Sequence, residues 1–186
     1  MGLPAAPPFE AAHRVARTLA GSVVRGNQIQ LSSGEVTDWY VDAKPFLYGT
    51  ENGIAADAIT MVLRAAKIVP ESFGGVGYGG VPLAVLCGQS FGVPAFAVRA
   101  EAKAHGLAGR IAGRLVPGRA VVLLEDVLTT GGSVLSAMTA VEAAGGLVVA
   151  ILCLLNRSEP RLKTMLAASG ANVPVLQVLV PEDIGV

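Results

Sequence analysis

Charge is scarce in this chain, and what there is cancels. Of 186 residues, 14 are basic and 14 acidic, so the net charge is zero with His neutral. A protein that wraps nucleic acid normally carries a basic excess against the phosphates, so no nucleic-acid partner is expected. Cysteine is nearly absent too. The only two, Cys87 and Cys153, lie inside the apolar stretches VPLAVLC and VVAILCLL, without a CxxC pair or zinc-type spacing. They read as buried thiols of a reducing compartment, and the expected localisation is cytoplasmic. No apolar run reaches the roughly 20 residues of a bilayer-spanning helix, so no membrane partner is expected. The segment MGLPAAPPFE has no basic stretch followed by an apolar one and does not read as a secretory leader. With 52% hydrophobic and 15% charged residues, the chain can fill a sizeable core, which excludes disorder.

The apolar spacing predicts a helix over residues 11–20. Short β-type runs follow at Val23-Val24, Ile29-Gln30-Leu31 and Trp39-Tyr40-Val41, punctuated by Gly26-Asn27 and Ser32-Ser33-Gly34. That small β region precedes the main pattern and reads as a hood. From Asn52 onward helices are expected at 54–67, 81–89, 132–144 and 160–168. Strands are expected at 72–76, 94–99, 119–124, 147–155 and 173–179. The alternation implies an α/β fold with a mostly parallel, doubly wound central sheet flanked by helices. A single domain is expected, with an N-terminal helix and β-containing hood in residues 1–45 and an α/β core in residues 46–186. Residues 100–118 stand apart as polar, glycine-bearing and basic, where a crossover helix would usually run. They read as a long functional loop.

The densest chemistry follows the strand at Val121. An apolar run meets two adjacent acids, Glu125 and Asp126, then Val127, Leu128 and the turn Thr129-Thr130-Gly131-Gly132-Ser133, then a helix. In an open α/β sheet, ligands bind at the carboxyl ends of strands. Glycines expose backbone N–H groups, hydroxyls add donors, and a helix N-terminus favours a phosphate. Two neighbouring carboxylates repel each other, but together they can accept from both hydroxyls of a ribose or sit near a hydrated Mg²⁺. A plain helix cap with solvated acids is the other reading; strand, acid pair and turn together favour a ribose-phosphate site.

Residues 123–133 resemble the phosphoribosyl-pyrophosphate (PRPP) motif of type I phosphoribosyltransferases, with Glu125 where Asp is also common. The resemblance extends to other segments. Between residues 99 and 114 lie Arg99, Lys103, His105, Arg110 and Arg114 against the single acid Glu101, a patch suited to closing over a departing anion. This loop is similar to the catalytic loop of orotate phosphoribosyltransferases, Arg-Lys-x-x-Lys-x-His-Gly. Arg99, Lys103, His105 and Gly106 match it. Ala100 departs from its usual Lys, removing one expected phosphate contact. In the family this loop reaches the neighbouring subunit's active site, so the resemblance implies a homodimer with loop 99–114 shared across the interface.

The resemblance implies further roles. Residues matching Ser32 and Tyr40 lie near the orotate ring or the pyrophosphate, and Arg157, after Leu155-Asn156, pairs with the orotate carboxylate through its planar fork. Gly75-Val-Gly77-Tyr78-Gly79-Gly80 fits the spacing GxGxxG, with Glu101 near the distance of a ribose-binding acid. The weak preceding strand and the position of Glu101 in a basic loop argue against a dinucleotide site. The segment resembles the pyrophosphate-binding turn instead, with Tyr78 and Gly79 at PRPP and Gly79 replacing a Lys of some members.

The expected activity is transfer of phosphoribosyl from PRPP to orotate. Lys103, His105, Glu125 and Asp126 would be catalytic. PRPP would be bound by these four with Arg99, Tyr78, Gly79 and every residue of 127–133. Orotate would meet Thr129, Arg157, Tyr40 and Ser32. Mg²⁺ is the expected cofactor, held mainly through PRPP rather than by protein ligands. Two alternatives stay open: transfer to a purine or uracil, and a regulator that binds PRPP without turning it over.

Overall fold

The computed structural model describes residues 8–30, 34–103, 109–158 and 160–186. Helix α1 (Pro8–Ala20) buries Ala11, Val15, Ala16 and Leu19 along one face, the stripe that a period of 3.6 produces. Strands β1 (Val23–Gln30) and β2 (Val36–Val41) pair antiparallel as a two-stranded hood. A short helix α2 (Lys44–Leu47) and helix α3 (Gly53–Ala65) lead into the core.

The core alternates as expected: β3 (Ser72–Val76), α4 (Gly77–Phe91), β4 (Ala95–Lys103), β5 (Gly109–Gly113), β6 (Ala120–Leu128), α5 (Gly132–Ala143), β7 (Leu147–Asn156), α6 (Arg161–Ala168) and β8 (Val175–Leu179). A 3₁₀ turn at Pro181–Ile184 ends the fold. The six-stranded sheet has the order β5-β4-β3-β6-β7-β8, parallel except for β5. Winding runs outward from β3 on one side and from β6 on the other. Helix α4 therefore covers one face and α5 the opposite one. Side chains of β6 alternate accordingly: Val122 and Leu124 join the core with α1, α3 and α4, while Val121 and Leu123 join the core with α5 and α6.

Three expectations need correction. Residues 100–118 are not simply a loop. Strand β4 runs on to Lys103, and β5 returns antiparallel beside it, in register at Val98↔Ile111 and Lys103↔Gly109. An antiparallel neighbour needs only a hairpin, so no crossover helix is required. Ile111 packs with Phe96 and Val98, which pays for the edge strand in buried apolar surface. Second, β6 does not stop before the acids. It continues through them to Leu128, paired with Asn156 of β7. Third, the helix expected at 81–89 begins at Gly77, with Pro82 inside it.

Candidate active site

The winding direction reverses between β3 and β6, and the carboxyl ends of those two strands form a crevice. Strand β3 ends in Gly74-Gly75-Val76, and β6 brings in Glu125 and Asp126. Strand alternation sends the two acids to opposite faces. Asp126 lies against α4, so close that a Cβ built on Gly79 would sit 2.1 Å from its Cγ. Glu125 faces the α5 side, where Gly77, Ser133, Ser136 and Arg110 line a cavity of about 260 Å³ with it. Desolvation, with the charge of Asp126 added, pushes the Glu125 carboxyl up to about 8. Burial also raises Asp126, against backbone hydrogen bonds and the charge of Lys44.

The predicted turn lies directly above. Gly131 takes a left-handed conformation, φ +81°, and is packed against Leu162, leaving no room for a side chain. The Gly132 N–H donates to Thr130 Oγ1 at 3.4 Å. Thr129 and Thr130 are half-buried, while Gly132 and Ser133 open the first turn of α5 to solvent. Val127 and Leu128 anchor the approach, each against a different core. The free N–H groups of α5 thus face the crevice beside the acids.

Arg157 follows β7, one strand away, and its N–H donates to the Leu128 carbonyl at 2.8 Å. Its side chain reaches the hood: Nη2 donates to Thr37 Oγ1 at 3.0 Å, and Cζ lies 3.6 Å from the centre of the Trp39 ring. Tyr40, the next residue of β2, is near the charge of Lys44. Arg161 pairs with Glu35, a second tie between the hood and the core. Tyr78 is exposed on α4, and with Tyr48, Val81 and Arg99 it lines a mostly apolar cavity of about 420 Å³. Lys103 closes β4 opposite Gly109. Ser32 and His105 lie outside the described residues. No three His, Cys, Asp or Glu converge as metal ligands among the described residues.

The structure adds residues that sequence reading passed over. Lys44 is held by Asp42 (Nζ–Oδ1 2.8 Å), and its charge acts on Asp126. Their spacing in Asp42-Ala43-Lys44 was visible, but nothing local linked it to Asp126. Arg110, previously one charge in a patch, donates to the Arg99 carbonyl (2.7 Å), the Ser136 carbonyl (2.9 Å) and Ser136 Oγ (2.8 Å).

The model of the phosphoribosyl transferase domain family matches residues 56–172. The orotate phosphoribosyltransferase of Streptomyces coelicolor is 36% identical over 171 residues, covering 88% of this chain and 91% of that protein. Among solved structures, the orotate phosphoribosyltransferase of Aeropyrum pernix superposes with a TM-score of 0.76 at 30% identity, covering 91% of this chain and 95% of that one. The Mycobacterium tuberculosis orotate phosphoribosyltransferase, solved with 5-phospho-alpha-D-ribosyl 1-diphosphate, gives 0.73 at 26% identity, covering 95% and 99%.

Proposed function

This chain belongs to the orotate phosphoribosyltransferase family, and we propose on that premise that it transfers the phosphoribosyl group of PRPP to orotate in pyrimidine biosynthesis. The products are orotidine 5′-monophosphate and pyrophosphate. One arrangement carries the reading: an acid pair at the switch point, a hydroxyl- and glycine-rich turn opening a helix beside it, and a half-buried arginine one strand away.

In this reading residues 129–133 take the 5′-phosphate, and Glu125 and Asp126 accept from the ribose hydroxyls. Their places on the two faces of β6 suit a ring seated across the strand end. A ring nitrogen of orotate bonds to the anomeric carbon as the bond to pyrophosphate breaks, through an oxocarbenium-like transition state. Arg99, Lys103 and His105 steady the departing pyrophosphate as its charge grows, with Tyr78 and Gly79 beside it. Ser32, Tyr40 and Thr129 border the base, and Arg157 pairs with its carboxylate.

Mg²⁺ suits this donor set. Asp126, with Asp42 near enough for their charges to interact, offers hard oxygens that would accept from the ion's waters, while PRPP phosphates would supply its direct ligands. When bound it would neutralise pyrophosphate charge. The same reading gives one phosphoribosyltransferase domain and a homodimer in which the 99–114 hairpin reaches the neighbouring site. Exposed Tyr48, Tyr78 and Val85 supply apolar surface for such a contact. No described helix is long and apolar enough to cross a membrane, and the buried thiols Cys87 and Cys153 support a cytoplasmic setting.

The test is orotate consumption followed spectrophotometrically with PRPP and Mg²⁺, beside adenine, uracil and hypoxanthine. Orotate should be the preferred acceptor. Preference for another base would overturn the assignment of Arg157, and PRPP binding without turnover of any base would favour a regulator.

A further inference from the structure

Arg157 is held as though for a partner that the protein itself does not provide. Its guanidinium is half-buried, and desolvation disfavours its charge. Burial of a cation is normally offset by a paired acid. The acid whose charge reaches it is Glu35, and Glu35 is paired with Arg161. Among the described residues no carboxylate lies within ion-pair distance of Arg157.

What holds it instead is the hood. Thr37 and Trp39 are two apart on β2, so they share a face. The Trp39 ring lies against the guanidinium plane, and the Thr37 hydroxyl accepts from Nη2. Stacking fixes the tilt of the plane, and the hydrogen bond fixes rotation within it. A guanidinium has five N–H donors, and Thr37 occupies one edge. The rest of the fork is preset for a planar, two-oxygen anion.

We propose that Trp39 and Thr37 are positioning residues that present the Arg157 fork to a ring carboxylate, so that hood strand β2 sets selectivity for an acidic base over its neutral counterpart. The inference rests on the reading of Arg157 as the orotate-binding residue. It makes the Glu35–Arg161 pair part of the same device, because that pair fastens β2 beside α6.

The experiment is steady-state kinetics on the full chain with Trp39→Leu, Trp39→Phe, Thr37→Val and Arg157→Met. A lost stack on a partly desolvated cation should raise KM for orotate about tenfold in Trp39→Leu, with KM for PRPP within about twofold. Trp39→Phe should recover most of this, and Thr37→Val should raise KM for orotate about threefold. The orotate-to-uracil preference should fall by the same factors. Trp39 is the single tryptophan, so its emission reports the stack directly and should change in Arg157→Met.

Equal rises in both KM values, or no rise for orotate, would overturn the proposal. If Trp39→Leu does not fold, Trp39→Phe and Thr37→Val carry the same comparison. Loss of orotate use in Arg157→Met beside unchanged Trp39 and Thr37 variants would sink the positioning role alone. Undiminished orotate use in Arg157→Met would remove the underlying reading of Arg157 as well.

Discussion

The Tyr48 hydroxyl donates to the Tyr78 carbonyl at 2.8 Å. In a regular helix that carbonyl would accept the N–H of residue 82, but residue 82 is proline and has none. Tyr48, from the end of α2, supplies the bond that α4 lacks and docks the two elements together. Removing the hydroxyl in Tyr48→Phe should cost about 1 kcal/mol. Restoring the helix donor with Pro82→Ala should make the same Tyr48→Phe change nearly neutral. Denaturant melts of the two single variants and the double variant measure this coupling. Strict additivity would mean that the hydroxyl and the missing amide are unrelated.

Gly79 and Gly80 are neighbours with different reasons for lacking a side chain. A Cβ at Gly79 meets the Asp126 carboxylate, which can swing away. A Cβ at Gly80 would lie 2.2 Å from the Leu124 carbonyl oxygen, part of the β6 backbone, which cannot. Gly79→Ala should therefore keep its melting temperature and lose PRPP affinity about tenfold as Asp126 is displaced. Gly80→Ala should cost stability, about 1–3 kcal/mol. Thermal melts and PRPP titration of both variants separate the two outcomes.

The Glu125 carboxyl sits at about 8 because it is desolvated beside Asp126. Its pKa is raised on folding, so the folded state keeps a proton that the unfolded chain loses above its ordinary value near 4.5. Stability from this group therefore falls as pH rises from about 4.5 to about 8 and levels beyond that. Glu125→Gln should flatten that slope in pH-dependent melts. Binding should run the other way. A carboxyl group accepts from both ribose hydroxyls more strongly when ionised, so KM for PRPP should fall as pH rises from 6 to 9 and stay high and flat in Glu125→Gln. A wild-type KM unchanged across that window would exclude Glu125 from ribose binding.

How much of this could be read from the chain depends on the range of each interaction. The hydroxyl- and glycine-rich turn was legible because its parts are contiguous: β6, the acids, the glycines and α5 follow one another, and each preference is local. Strand β3 was legible end to end in its bounds, though only weakly marked, because two of its five residues are glycines. The acids' separation to opposite faces became visible only with β6 extended past them. The β4–β5 hairpin was not legible, since β5 is short and glycine-bounded and its identity as a strand comes from pairing with β4. Least legible was the Arg157 clamp, in which Thr37 and its partner are 120 residues apart. The early start of α4 was hidden by Pro82, whose missing bond is repaired by a residue from another element.

Arg110 joins the basic hairpin to helix α5. From β5 it donates across to the Arg99 carbonyl on β4 and to the carbonyl and hydroxyl of Ser136 on α5. Movement of the hairpin that carries Lys103 is thereby referenced to the helix that opens at Gly132. Arg110→Met keeps an unbranched apolar stem and removes all three bonds. It should lower kcat about tenfold through imprecise placement of the hairpin, with KM for orotate unchanged because Arg157 lies on the far side of β6. Lys103→Ala should lose more, about a hundredfold, if Lys103 steadies the leaving group as proposed above. Combined, the two should lose little beyond Lys103→Ala alone, because a hairpin stripped of its charge gains nothing from exact placement. Stopped-flow turnover and thermal melts on the three variants decide it: multiplicative losses in kcat would make Arg110 an independent contributor, and a drop in melting temperature with kcat preserved would leave it as scaffold.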